Sequence, residues 1–122
     1  MKIIRTWILI AALALPGMAA AANRHDAELA MTAAQSALDA AERAGAAQFA
    51  MSDLTTARSG MAHAQGLAND RDWTDSMLAS EKTRADAILA EARSRQARAE
   101  ATTEEVEAAV RTLRIELGRA GG

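Results

Sequence analysis

Residues 26–46 read "DAELAMTAAQSALDAAERAGA" and place alanine at 27, 30, 34, 37, 41 and 44, an unbroken alternation of three- and four-residue steps. Each step returns to the same side of an α-helix, so the stretch predicts a helix whose contact seam is built almost wholly of methyl groups. Met31 and Leu38 flank that seam as larger contacts, and Asp39 stands four residues ahead of Arg43 as a favourable surface pair. Alanine seams let helix backbones approach more closely than leucine seams do, with many close contacts and little side-chain entropy to lose.

The same pattern continues beyond the glycine that ends it. Gly45 in "GAAQFAM" stops the first helix, which spans about 26–44, and Ser52 with Asp53 in the following turn is read as the cap of a second helix over 52–69. Leu54, Ala57, Met61, Ala64 and Ala68 keep the three-four spacing there, with Gly66 as a weak point or a tight crossing. "ANDRDWTDS" supplies the next turn, and Asp72 or Thr74 opens a third helix over about 74–117. Within it Ala85, Leu89, Ala92, Gln96, Ala99, Thr103, Val106, Val110, Leu113 and Leu117 alternate steps of four and three for more than four heptads, a coiled-coil-like seam. Phe49 and Trp73 each stand at a turn ahead of a helix, so one aromatic is expected to plug each end of an antiparallel bundle.

The fold class expected is therefore all-α: an antiparallel, alanine-rich hairpin or three-helix bundle with a long C-terminal helix. At 1.5 Å per residue that helix is ~65 Å long against ~30 Å for each of the other two. The first two cover only its first half, which leaves Val106, Val110, Leu113 and Leu117 without a partner from the same chain and marks them as the expected interaction residues. Thr102 and Glu105 have capping-box spacing, but no glycine or proline accompanies them, so a continuous helix is expected through that point.

The start of the chain has a different character. Lys2 and Arg5 flank the start of the apolar run "WILIAALAL", followed by Pro16-Gly17 and the small residues "MAAAA". A basic end, a short apolar core and a small-residue cut site make a cleavable secretory signal over 1–22, cut after Ala22, rather than a membrane span of ~20 apolar residues. The expected compartment is the periplasm, and the helical domain is residues 23–122. The full chain of 122 residues carries 14 basic and 16 acidic residues, a net charge of −2. Without Lys2 and Arg5 the charge is −4, too mild and mixed for a nucleic-acid binder. The absence of cysteine excludes disulfide staples and a lipid anchor on cysteine. With Phe49 and Trp73 the only aromatics after the signal, a bulky core is not available.

"AGAAQFAMSDLTTARSGMAHAQ", "LASEKTRADAILAEARSRQARAEA" and the closing "LRIEL" together resemble the DUF4398 family (domain of unknown function 4398) of bacterial envelope proteins, from about Glu28 to Leu117. The resemblance implies a small alanine-rich helical protein of the cell envelope and supplies no catalytic residues. Met51 stands where that family commonly has proline, and Asp53 where it has glutamate.

Candidates for chemistry are few. A cut after Ala22 exposes Asn23-Arg24-His25, whose amine, two backbone amides and third-position imidazole form the square nitrogen set that copper(II) or nickel(II) prefers. Histidine also reaches that position by chance, and moving the cut by one residue destroys the set, so no metal or other cofactor is assigned. His63 lacks a second ligand at metal spacing, and Asp70, Asp72 and Asp75 lack the glycine and distal glutamate of a calcium loop. Arg93, Arg95 and Arg98 precede Glu100, Glu104, Glu105 and Glu107, a charge order that would steer an antiparallel copy of the helix or simply keep a face solvated. No phosphate loop, nucleophile elbow or serine-histidine-acid set is visible, and an enzyme is not expected. The expected role is a periplasmic structural or adaptor protein that associates with itself or with an envelope partner. A different class, a carrier or holdase for apolar ligands, would use Met31, Met51, Met61 and Met77 as an adaptable surface.

Overall fold

The structure, a computed structural model, describes residues 21–122, so most of the expected signal segment lies outside the described residues. Four helices follow in order: α1 Arg24–Arg43, α2 Ala46–Phe49, α3 Met51–Asn69 and α4 Trp73–Ala120. The three long helices stand where the spacing placed them, within three residues at each end, and α2 is a single turn between α1 and α3.

Each boundary has a local cause. Asn23 accepts from the Asp26 backbone N–H at 3.0 Å while the Asp26 carboxylate accepts from the Asn23 N–H at 3.2 Å, a reciprocal capping box that starts α1 two residues earlier than the alanine spacing does. Gly45 ends α1 in the left-handed region, φ +91°, where a side chain would be strained and would also meet Phe49 at 3.3 Å. The Ser52 cap is a correction: α3 already begins at Met51, Ser52 lies inside it, and no side chain caps its start. At the other end of α3, Arg71 N–H donates to Ala68 O and Asp72 N–H to Leu67 O, the crossed pair of bonds that closes a helix through a left-handed residue, here Arg71 at φ +65°. Asp72 immediately precedes α4, without a side-chain bond to the helix start.

Packing is organised around α4, which contacts both α1 and α3 far more than they contact each other. The α1 seam is as its spacing requires: Ala27, Ala34, Ala41 and Ala44 are buried together with Leu38, and Ala30 and Ala37 are half-buried. Leu54, Ala57, Met61 and Ala64 are buried along α3, with Ala68 half-buried at its end.

The face that α4 turns inward overturns the expected seam. Ser76, Ser80, Thr83, Ala87, Ala90 and Ser94 are fully buried, whereas Ala85, Leu89, Ala92, Gln96 and Ala99 are exposed. The physical reason is close approach: two helices that present alanine can meet a third at short range only if it also presents small residues. The hydroxyls do not obstruct this, because three of them find backbone acceptors. Ser76 Oγ donates across the interface to Ala64 O at 2.9 Å, Ser80 Oγ to Ser76 O at 2.8 Å and Ser94 Oγ to Ala90 O at 2.7 Å. A serine so bonded packs as a small residue at little cost.

The tightest crossing is at Gly60 rather than Gly66. A Cβ placed on Gly60 would lie 2.4 Å from Thr83 Oγ1, whereas one on Gly66 would meet nothing within 4 Å. Thr83 Oγ1 is buried there without a hydrogen-bond partner.

α4 runs unbroken through Thr102, whose Oγ1 donates to Arg98 O inside the helix at 3.0 Å instead of capping a new one. At 48 residues it is ~72 Å long against ~30 Å for α1. Ala101 is its last half-buried residue, and everything from Thr102 onward is exposed.

Candidate functional site

Two longitudinal stripes divide α4. Residues 87 and 89 are two positions apart, a rotation of about 200° at 3.6 residues per turn, so the small-residue stripe and the heptad stripe lie on opposite sides of the helix. The small one holds the bundle together. The heptad stripe begins at Leu78 and passes through Leu89, Val106, Val110 and Leu113 to Leu117, and these six side chains are 39% to 73% exposed. The four residues singled out by length alone, Val106, Val110, Leu113 and Leu117, are thus its distal half. The covered half of the helix exposes the same stripe, where its apolar spacing predicts a core seam. Ile115 is also exposed, on the continuation of the small-residue side.

Charges border the stripe unevenly. In the covered half two arginines reach the other helices, Arg93 Nη1 to Asp53 Oδ1 on α3 at 2.7 Å and Arg98 Nη1 to Ala44 O at the end of α1 at 3.4 Å, while Arg95 pairs with Glu91 within α4. Arg58 similarly joins α3 to α1 through Glu42 at 2.7 Å. These solvated pairs are each worth about 0–1 kcal/mol, so they align helices more than they stabilise them. Beyond residue 101 the pair Arg111–Glu107, at 4.0 Å, is internal to α4. The basic-then-acidic order around residues 93–107 is therefore partly used within the fold and partly free on the outer side.

The remaining candidates are scattered. Asn23 is held in the capping box, and Arg24 and His25 form the first turn of α1, so wrapping a metal ion there would require that turn to unwind. His63 is exposed on α3, and Asp70, Asp72 and Asp75 are exposed around the α3–α4 turn. Among the described residues no group of three or more His, Cys, Asp or Glu side chains is placed to hold a metal ion. Met61 is buried in the core, Met31 and Met77 are half-buried near one end, and Met51 is exposed at the other, so the four do not form one surface. Trp73 and Phe49, both half-buried, lie at opposite ends of the bundle. Beside Trp73 an open cleft is lined by Arg24, Glu28, Met31, Ala68, Asn69 and Arg71. It brings no nucleophile to a base, and the Arg24–Glu28 pair across its rim is solvated.

The sequence reading missed that the apolar stripe is exposed along its full length. The signal was present in the alternating steps of four and three from Ser76 through Ser80, Thr83, Ala87, Ala90 and Ser94, a second seam masked by its hydroxyls.

Among the described residues no helix is long and apolar enough to cross a membrane. Comparison of the chain with protein-family models, with curated proteins and with solved structures returns no match.

Proposed function

We propose that the protein is a non-enzymatic structural or adaptor element of the bacterial cell envelope, exported to the periplasm by its cleaved N-terminal segment and acting through helix–helix association along the outer face of α4. One observation carries this reading. A 48-residue helix commits one side to its own bundle and leaves a heptad-spaced apolar stripe on the other, uncovered from Leu78 to Leu117. Exposed large apolar side chains recurring on one side of a polar helix mark a docking face, and heptad spacing selects another helix as the partner. The basic, apolar and small-residue order of residues 1–22 supports export, and the resemblance to DUF4398 envelope proteins fits the same compartment. The carrier alternative draws no support from the methionines, which lie at different depths and ends of the bundle.

A photo-activatable residue at Val110, compared in living cells with one at the exposed His63 of α3, tests the reading. Adducts from position 110 and none from position 63 are expected. Equal labelling at both, or none at 110, contradicts it.

A further inference from the structure

We propose that the occupant of the outer stripe is a second copy of the chain, docked antiparallel so that each distal tail lies along the covered half of its partner's α4, with the two-fold axis beside residue 101. This rests on the reading that the outer face of α4 is the interface, and it adds the partner, the orientation and the register.

Size complementarity selects the orientation. Lys82, Leu89, Gln96, Thr103, Val110 and Leu117 occupy one core position of the heptad, and Ala85, Ala92, Ala99, Val106 and Leu113 the other. A parallel pair stacks each residue on its own copy, so Gln96 meets Gln96 and alanine meets alanine, leaving polar and hollow layers. An antiparallel pair centred at residue 101 sets Leu117 against Ala85, Val110 against Ala92 and Leu89 against Leu113. Two of these layers set a large side chain against a small one, Leu89 packs on Leu113, and no polar core residue meets its own copy.

Charge fixes the register. In the flanking positions this alignment sets Arg93 opposite Glu107 and Asp86 opposite Arg114, each occurring twice by symmetry, and its only like-charged meeting is Glu100 with its own copy. Sliding one heptad in one direction puts Arg93 against Arg114 and Glu100 against Glu107. Sliding the other way puts Asp86 against Glu107 and Glu81 against Glu116. The parallel pair gains Arg95 with Glu100 but sets Glu81 against Asp86. Arg93 can serve both neighbours: Nη1 holds Asp53, its side chain is 58% exposed, and a guanidinium has five N–H donors. The overlap runs from Lys82 to Ala120, about 57 Å.

The chain contains no cysteine, so introduced ones report without background. Ala99 and Thr103 are both exposed in the single copy and face each other only in the antiparallel register. Under mild oxidation, a mixture of the Ala99→Cys and Thr103→Cys proteins should give the mixed disulfide as its main product, with little from either alone. Disulfide formation by each variant alone, without the mixed species, overturns the orientation while leaving the face intact. A wild-type chain that sediments as a monomer at about 100 µM, with no disulfide in any mixture, overturns self-docking, and the photo-cross-link at Val110 then decides separately whether the face binds something else. Arg114→Glu should weaken the dimer roughly five- to tenfold at low salt, and adding Asp86→Arg together with Lys82→Glu, which keeps the Lys82–Asp86 pair with its signs reversed, should restore it. Failure of that swap to restore it overturns the register.

Discussion

At Gly60 and Thr83 a hydrogen atom decides how closely two helices meet. With no side chain on Gly60, the Thr83 hydroxyl sits where a Cβ would be 2.4 Å away. The price is a buried hydroxyl without a partner. Gly60→Ala should therefore destabilise the fold by ~1–3 kcal/mol in chemical denaturation, despite alanine's better helix propensity. In a Thr83→Ala background the obstruction is gone, and the same substitution should become neutral or stabilising by up to ~1 kcal/mol. Equal costs in the two backgrounds would show that the crossing is not made by this pair.

At the scale of the element, α4 is a helix with two uses on two sides. Its inner side is small and hydroxylated, and its outer side carries the leucines and valines. Replacing Leu89 with Ser should change the unfolding free energy of the monomer by less than ~0.5 kcal/mol, while Ala90→Leu, one residue on, should cost ~1–3 kcal/mol or more through overpacking. Thermal melts at micromolar concentration, below the range of association, give both values, and the reverse ranking would return the leucines to the core. The contrast also marks how far the sequence was legible. The seams of α1 and α3 could be read because alanine and leucine share one face there, and the length of α4 because no glycine or proline interrupts it before Gly118. The inner face of α4 could not, because hydrophobic periodicity ranks Leu89 above Ser80 and Thr83. It ignores that a serine bonded to the carbonyl four residues back occupies little more room than alanine. The Asn23–Asp26 box escaped for a related reason: it lies outside the apolar repeat, in the polar residues ahead of it.

The described residues form a half-covered rod. Two helices of about 30 Å lie along one side of the first part of a helix of about 72 Å, and the distal part projects alone. An isolated stretch of some 20 residues is marginal as a helix in water, so a partner on its apolar side would add most of the tail's stability. A second copy placed antiparallel covers both tails at once, and the joint object spans about 85 Å, a length suited to spacing or bridging. The four residues proposed from length alone, Val106, Val110, Leu113 and Leu117, are exposed, and the stripe they belong to runs on past the bundle to Leu78. That continuity was illegible because the stripe's proximal half looked like the natural cover for α1 and α3.

Thiol reactivity on the two sides of α4 tests this division most directly. In dilute solution a Leu89→Cys protein should react with a maleimide at nearly the rate of a free peptide, and an Ala87→Cys protein only at the rate at which the bundle opens. At high concentration position 89 should become protected as copies associate. Fast labelling at 87 together with slow labelling at 89 in the dilute monomer would contradict it, placing the leucines inside and leaving no outer face for a partner.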